Sequence, residues 1–265
     1  MTHSPLTDVP VLVEREVVAD GTGCLVRVQF NRPDRLNAVD LDLLTAFGDV
    51  MSSVAEVGDD GLPVRAVVLS GAGKTLSAGA DLMNVVGGGQ DPAAIMAAAS
   101  RAVLGVLDCP VPVLCALTGK SAGFGVSLGL AADITVMAEN GALVLSFADV
   151  GLSADGGISQ LLPSAVGRQV ASRMLLTGER VDAATALSTG LVAETAPDAD
   201  VVRRTEELAA TIAAKPAGAV RGIKRTLSAT VRADIVAALD LEAVIQEPLL
   251  AGPELKAAAQ RFFGR

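Results

Sequence analysis

Two apolar runs in this 265-residue chain each end in a glycine-rich turn. Ala66-Val67-Val68-Leu69-Ser70-Gly71 runs on into Ser77-Ala78-Gly79-Ala80-Asp81-Leu82. Val111-Pro112-Val113-Leu114-Cys115-Ala116-Leu117 leads into Gly119-Lys120-Ser121-Ala122-Gly123-Phe124-Gly125. Each reads as a buried strand ending in a tight turn that exposes backbone N–H groups. Glycine lets such a turn approach a ligand closely. The first N–H groups of a following helix lack intrahelical partners, and the helix dipole favours negative charge there. Phe124 falls near the start of one such helix, and Ala80 follows Gly79 in the other turn. Two convergent donors would polarise a carbonyl and stabilise an enolate. Losing one donor of this kind costs roughly 2.7–4 kcal/mol of transition-state stabilisation. The competing explanation is that Gly119, Gly123, Gly125 and Gly129 only permit close helix packing.

Other catalytic strategies have little to work with. The single histidine, His3, lies in the N-terminal tail, which removes Ser-His-Asp and Cys-His mechanisms and most zinc sites. No metal site is expected. Cys24, Cys109 and Cys115 are odd in number and lie in or beside apolar runs, as buried reduced thiols of a cytoplasmic protein do. A net charge of −9, with no Trp and no Tyr, disfavours nucleic acid as a partner. No run approaches the 18 or so apolar residues of a membrane span. Met1-Thr2-His3-Ser4-Pro5 has no signal-peptide pattern.

The elements that must position the turns alternate. Strands are expected over Val9–Val18 and Cys24–Phe30, with a turn at Asp20-Gly21, then over Arg65–Leu69, Val111–Leu117, Ile134–Met137 and Ala142–Leu145. Leu41, Leu44, Phe47, Val50, Met51 and Val54 share one face of a helix over Leu41–Val57, with Asp40 as its N-cap. Helices are also expected over Asp91–Asp108 and Ser121–Ala132. From Gly157 onward the pattern is nearly all helix: Gly157–Val166, Arg168–Leu176, Asp182–Ser188, Asp200–Ala214, Ala217–Thr230, Arg232–Leu250 and Pro253–Phe263. The class is therefore α/β, with strand–strand–helix units followed by a helical tail. Gly87-Gly88-Gly89 is either a plain loop or a lid over a site.

Two motifs fall short of nucleotide binding. Gly71-Ala72-Gly73-Lys74-Thr75 follows a strand, but a phosphate-binding loop needs glycine where Val68 stands. Gly123-Phe124-Gly125 would need its third glycine at Leu128, and Gly129 comes one residue late.

Taken together, several stretches resemble the crotonase superfamily, the enoyl-CoA hydratase/isomerase family. They are Asn31-Arg32-Pro33-Asp34-Arg35-Leu36-Asn37-Ala38, Ser77 through Leu82, Pro112 through Asp133, Phe147 through Gly157, and the ending Arg261-Phe262-Phe263-Gly264-Arg265. The resemblance implies a spiral of ββα units over 1–196, a C-terminal helical trimerisation region over 197–265, and assembly as a homotrimer or a dimer of trimers. It implies an acyl-CoA thioester substrate, with coenzyme A part of the substrate and no separate cofactor. By position, the amides of Ala80 and Phe124 resemble the family's oxyanion hole. Phe124 replaces the small residue usual there. Asn37-Ala38 and Ala78 through Leu82, Asp81 included, resemble the segments along the CoA path. Gly123, Gly125, Ser127 and Phe147 are further substrate-binding candidates. Arg35 would meet a CoA phosphate, or else is a solvated surface arginine.

Hydratases of the family add water with two glutamates. The corresponding positions here hold Ser127 and Phe147, neither of which can act as acid or base at neutral pH. Ser127 either binds a water or substrate or is a helix hydroxyl bonded to backbone. One carboxylate remains: Asp155 resembles the acid that several family isomerases use. A single carboxylate suffices to move a proton from one carbon to another, and burial would raise its proton affinity to a useful value. Alternatively, Asp155 caps the helix beginning near Gly157, which would hold it ionised. Asp81 and Asp133 are expected as structural caps or pairs, and Asp149 and Glu139 as solvated acids. Double-bond isomerisation is favoured. Hydration by an atypical acid, and non-catalytic acyl-CoA binding, are the alternatives.

Overall fold

The computed structural model describes residues 9–58, 60–87 and 89–263. His3 and the N-terminal pattern, Gly88 of the glycine connector, and Gly264-Arg265 of the family-like ending lie outside them. The strands in chain order are β1 (Val11–Val17), β2 (Cys24–Phe30), β3 (Val64–Gly71), β4 (Val113–Leu117), β5 (Lys120–Ala122), β6 (Ile134–Ala138), β7 (Ala142–Val144), β8 (Arg180–Asp182) and β9 (Glu194–Ala196). The helices are α1 (Leu41–Ser53), α2 (Leu82–Gly87), α3 (Pro92–Leu107), α4 (Phe124–Ala131), α5 (Ile158–Val166), α6 (Arg168–Thr177), α7 (Ala183–Ser188), α8 (Val201–Ala213), α9 (Ala217–Leu250) and α10 (Pro253–Phe263).

One sheet runs β1-β2-β3-β4-β6-β9 and a smaller one β5-β7-β8. β1 pairs antiparallel with β2, and the larger sheet is parallel from β2 onward. A parallel sheet is covered on both faces, so its strands are near-continuous apolar runs. On one face Phe47 of α1 meets Phe30 of β2 edge to face, with ring centroids 5.2 Å apart. On the other, Ala209 and Ala213 of α8 close over Leu25, Ala66, Val68 and Leu114. The two faces therefore bury alternate residues of the same strands. Beneath α9, Lys224 is buried and reaches the Asp133 carboxylate at 2.6 Å, and Asp133 also accepts the Val113 amide. The expected structural role of Asp133 is what the fold shows. Among the described residues no helix is long and apolar enough to cross a membrane.

Four sequence expectations need correction. Residues 120–122 are not the start of a helix: they pair with Ala142–Val144 in the smaller sheet, so α4 begins only at Phe124. The tail is not all helix, because β8 and β9 are three-residue strands that extend the two sheets. Helices 217–230 and 232–250 are one 34-residue helix, since no Gly or Pro stands at their junction. α1 stops at Ser53 rather than Val57, where the Glu56 amide turns back to the Ser53 carbonyl.

Candidate active site

The turn after β3 is held from below by Asn37. Its Nδ2 donates to the carbonyls of Ala72 and Thr75, and its Oδ1 accepts the Arg32 amide. Ser77 donates to the Asn37 carbonyl, and its Oγ accepts the Gly79 amide at 3.1 Å. The Val39 amide donates to the Gly79 carbonyl, and the Asp81 amide donates to the Val39 carbonyl. In an extended segment alternate amides point to opposite sides, so the Ala80 N–H faces away from Val39. The second turn is tied to the first where the Ala122 amide donates to Ser77, and to β7 where the Gly123 amide donates to Val144. Gly123, at φ 49°, precedes the first helical residue, Phe124. A Cβ on Gly79 would lie 3.0 Å from the Ala122 carbonyl oxygen and 3.6 Å from the Gly123 Cα. The two turns touch backbone to backbone. Among the described residues, neither the Ala80 nor the Phe124 amide donates a hydrogen bond.

Both amides belong to residues on the wall of one cavity of about 670 Å³. The same wall carries Arg35, Ala38, Ala78, Asp81, Leu82, Gly123, Phe147 and Asp155. Asn37, Gly125 and Ser127 stand behind it. Asn37 holds loops, Gly125 lies where a Cβ would be 2.8 Å from Ser77, and Ser127 donates to the Asp155 carbonyl at 2.7 Å. Ser127 thus bonds backbone, the second of its two sequence readings. A smaller hollow of about 470 Å³, beside Met51 and Leu104, contains neither the amides nor Asp155.

At the mouth, Asp81 is buried between Arg35 (2.9 Å) and Arg32 (3.2 Å), while Arg32 also pairs with Asp40 at 2.7 Å. Asp81 acts as a structural pair that fixes Arg35, whose side chain remains 53% exposed. Inside, the Phe147 ring lies 3.6 Å from where a Gly123 Cβ would be, and the Phe124 ring packs on Gly156.

Asp155 is surrounded by protein except towards the cavity. Its Oδ2 accepts from Gln246 Nε2 at 2.9 Å, and its Oδ1 is buried with no hydrogen-bond partner. Burial pushes its pKa up to about 7; the Gln246 bond opposes this and the nearby Glu242 charge adds to it. The capping alternative does not hold. α5 starts after Gly157, and its cap is Glu242 of α9, which accepts the Gly157 amide at 2.6 Å and the Ser159 amide at 2.9 Å. Sequence reading missed Glu242 and Gln246. Their one signal is a pair of polar residues one turn apart in a helix, and nothing in it points to Asp155.

The family model for enoyl-CoA hydratase/isomerase matches residues 20–265. The chain belongs to the enoyl-CoA hydratase/isomerase family. A probable enoyl-CoA hydratase of Rhodobacter capsulatus is 33% identical over 75% of this chain and 77% of its own. The mitochondrial Delta(3,5)-Delta(2,4)-dienoyl-CoA isomerase of Rattus norvegicus is 33% identical over 77% of this chain, and the match spans 65% of the rat protein. The crystal structure of an enoyl-CoA hydratase from Mycobacterium avium subsp. paratuberculosis superposes with a TM-score of 0.84 at 31% identity, covering 95% of this chain and 98% of that one. The fold is the crotonase fold of this family. Its members similar to this chain carry both hydratase and isomerase names, so membership fixes the class of enzyme and leaves the reaction to the site.

Proposed function

We propose that the protein is an enoyl-CoA isomerase with Asp155 as its single proton carrier. The observation that carries this reading is the Asp155 carboxyl group. It lies on the wall of the cavity that the two free amides share, one of its oxygens has no protein partner, and Glu242 has taken over the helix cap. The thioester oxygen sits between the Ala80 and Phe124 amides. Asp155 takes a proton from C2 of a 3-enoyl thioester, and the electron pair moves onto that oxygen as an enolate. As the enolate collapses, Asp155 returns the proton to C4 and the double bond lies between C2 and C3. No atom is gained or lost, and no cofactor is required. Arg35 at the mouth meets a CoA phosphate. Apolar residues exposed on α9, Ile223, Leu227, Leu241 and Val244, form the trimer face of the C-terminal region.

Water addition by the family's two-acid route would need acids at the positions of Ser127 and Phe147. Ser127 is bonded to backbone and Phe147 is a buried ring. The test is to supply 3-enoyl-CoA and 2-enoyl-CoA separately. Conversion of the first to its 2-isomer, lowered roughly 10²–10⁴-fold by Asp155→Ala, is the expected result. Hydration of the second would establish a hydratase. Thermal stabilisation by acyl-CoA without turnover of either would establish a binding protein.

A further inference from the structure

We infer that Glu242 and Gln246, one turn apart on α9, are positioning residues for Asp155. Gln246 clamps one carboxylate oxygen so that the other is left unpartnered, and Glu242 relieves Asp155 of the helix cap while setting a negative charge near it. This inference rests on the reading of Asp155 as proton carrier.

Gln246 has no solvent exposure, and every polar atom of its amide is committed. Its Oε1 accepts the Ser153 amide at 2.8 Å, and its Nε2 donates to the Ser153 carbonyl and to Asp155 Oδ2, both at 2.9 Å. A flipped amide would set NH₂ against the Ser153 N–H, so its orientation is fixed. The Asp155 carboxylate is therefore held from one side only. Glu242 is buried and takes the two amides at the start of α5, which an aspartate at 155 would otherwise compete for. Among the described residues, the neighbouring elements bring no other charge to Asp155. α4 brings the Ser127 hydroxyl to the Asp155 carbonyl and the Phe124 ring to Gly156, and Glu254 of α10 lies against Gly151 instead. Among the described residues, Glu242 is the charged group that acts on Asp155.

The two contacts act in opposite directions. The Gln246 N–H stabilises the carboxylate, and the Glu242 charge destabilises it. The experiment is the pH dependence of kcat/KM for 3-enoyl-CoA isomerisation by the full chain, wild type against Glu242→Gln and Gln246→Met, with Asp155→Asn as reference. Gln at 242 keeps an acceptor oxygen for the cap, and Met at 246 keeps the volume. The acidic limb should move down by at least roughly half a pH unit in Glu242→Gln, and up by a similar amount in Gln246→Met. A role confined to structure would change stability or KM and leave the limb in place. Unmoved limbs, or limbs moving together, with Asp155→Asn inactive, overturn this inference and spare the isomerase reading. A fully active Asp155→Asn overturns both. Should Gln246→Met fail to fold, the downward shift in Glu242→Gln decides alone.

Discussion

Helices α4 and α5 begin alike and end up with opposite roles. Each follows a glycine in the left-handed region, φ 49° at Gly123 and 76° at Gly157, and neither glycine supplies a cap. At α5 a carboxylate arrives from Glu242, 85 residues away in sequence from Gly157, and closes the exposed amides. At α4 no group among the described residues accepts from the Phe124 amide, and Phe124 lines the cavity. Three other helices are capped locally, by Asp40 on α1, Asp91 on α3 and Asp182 on α7. Unsatisfied donors at a helix start cost stability unless water or a ligand meets them. In the proposed reaction the open start at α4 is the helix end that receives the ligand oxygen. The closed start at α5 is what frees Asp155 from a structural task. In the proposed reaction the two ends are complementary: one would supply donors to the substrate, and the other releases the base.

Gly79 is the residue on which the contrast between the two helix starts most depends. It has φ 86° and would place a Cβ 3.0 Å from the Ala122 carbonyl oxygen, in backbone that cannot step aside as a side chain could. Gly79→Ala should push the two turns apart, so that the Ala80 and Phe124 amides no longer converge. The expected loss is that of one oxyanion donor, roughly 10²–10³ in kcat. The check is turnover together with circular dichroism, because an intact fold with unchanged turnover would show that the amides do not act jointly.

The next effect concerns stability. The folded carboxyl of Asp155 titrates at about 7, against an ordinary value of 3.8. Below pH 4 both folded and unfolded forms are protonated, and the shift has no consequence. Between 4 and 7 the unfolded chain releases its proton while the folded protein retains it, so rising pH favours unfolding. Above 7 the cost is complete, on the order of 4 kcal/mol. Asp155→Asn carries no such charge. It should melt above the wild type at pH 8, with the difference shrinking towards pH 4, while losing isomerase activity. Thermal melts at both values test the sign. An Asn variant less stable at pH 8 would show that Asp155 is ionised at little cost.

Much of this was legible in the sequence, for identifiable reasons. Strands such as Val113–Leu117 are continuous apolar runs, and the capping residues Asp40 and Asp91 stand directly before amphipathic helices. The glycines at 79 and 123 mark the touching turns because no other residue fits there. What escaped were interactions with no local signature. β5, β8 and β9 are three residues each, and only pairing with distant strands makes them strands. Asp155 was ambiguous between base and cap, since Asp-Gly-Gly before a helix satisfies both patterns. The deciding group, Glu242, lies on a helix whose sequence gives no hint of where its buried face will dock.

The smallest expected effect tests whether locally capped helices are uncoupled from the site. Asp91 accepts the Ala93 amide at 3.1 Å on the exposed start of α3. Pro92 follows it, so one orphan donor is already absent there. Asp91→Ala should therefore lower stability by only about 1 kcal/mol, read as a modest fall in Tm, with kcat and KM unchanged. A fall in kcat with the wild-type Tm would reverse the expectation. It would mean that α3, which α9 packs against, transmits its position to Glu242 and Gln246, and that the boundary between structural and functional helix starts runs through α3.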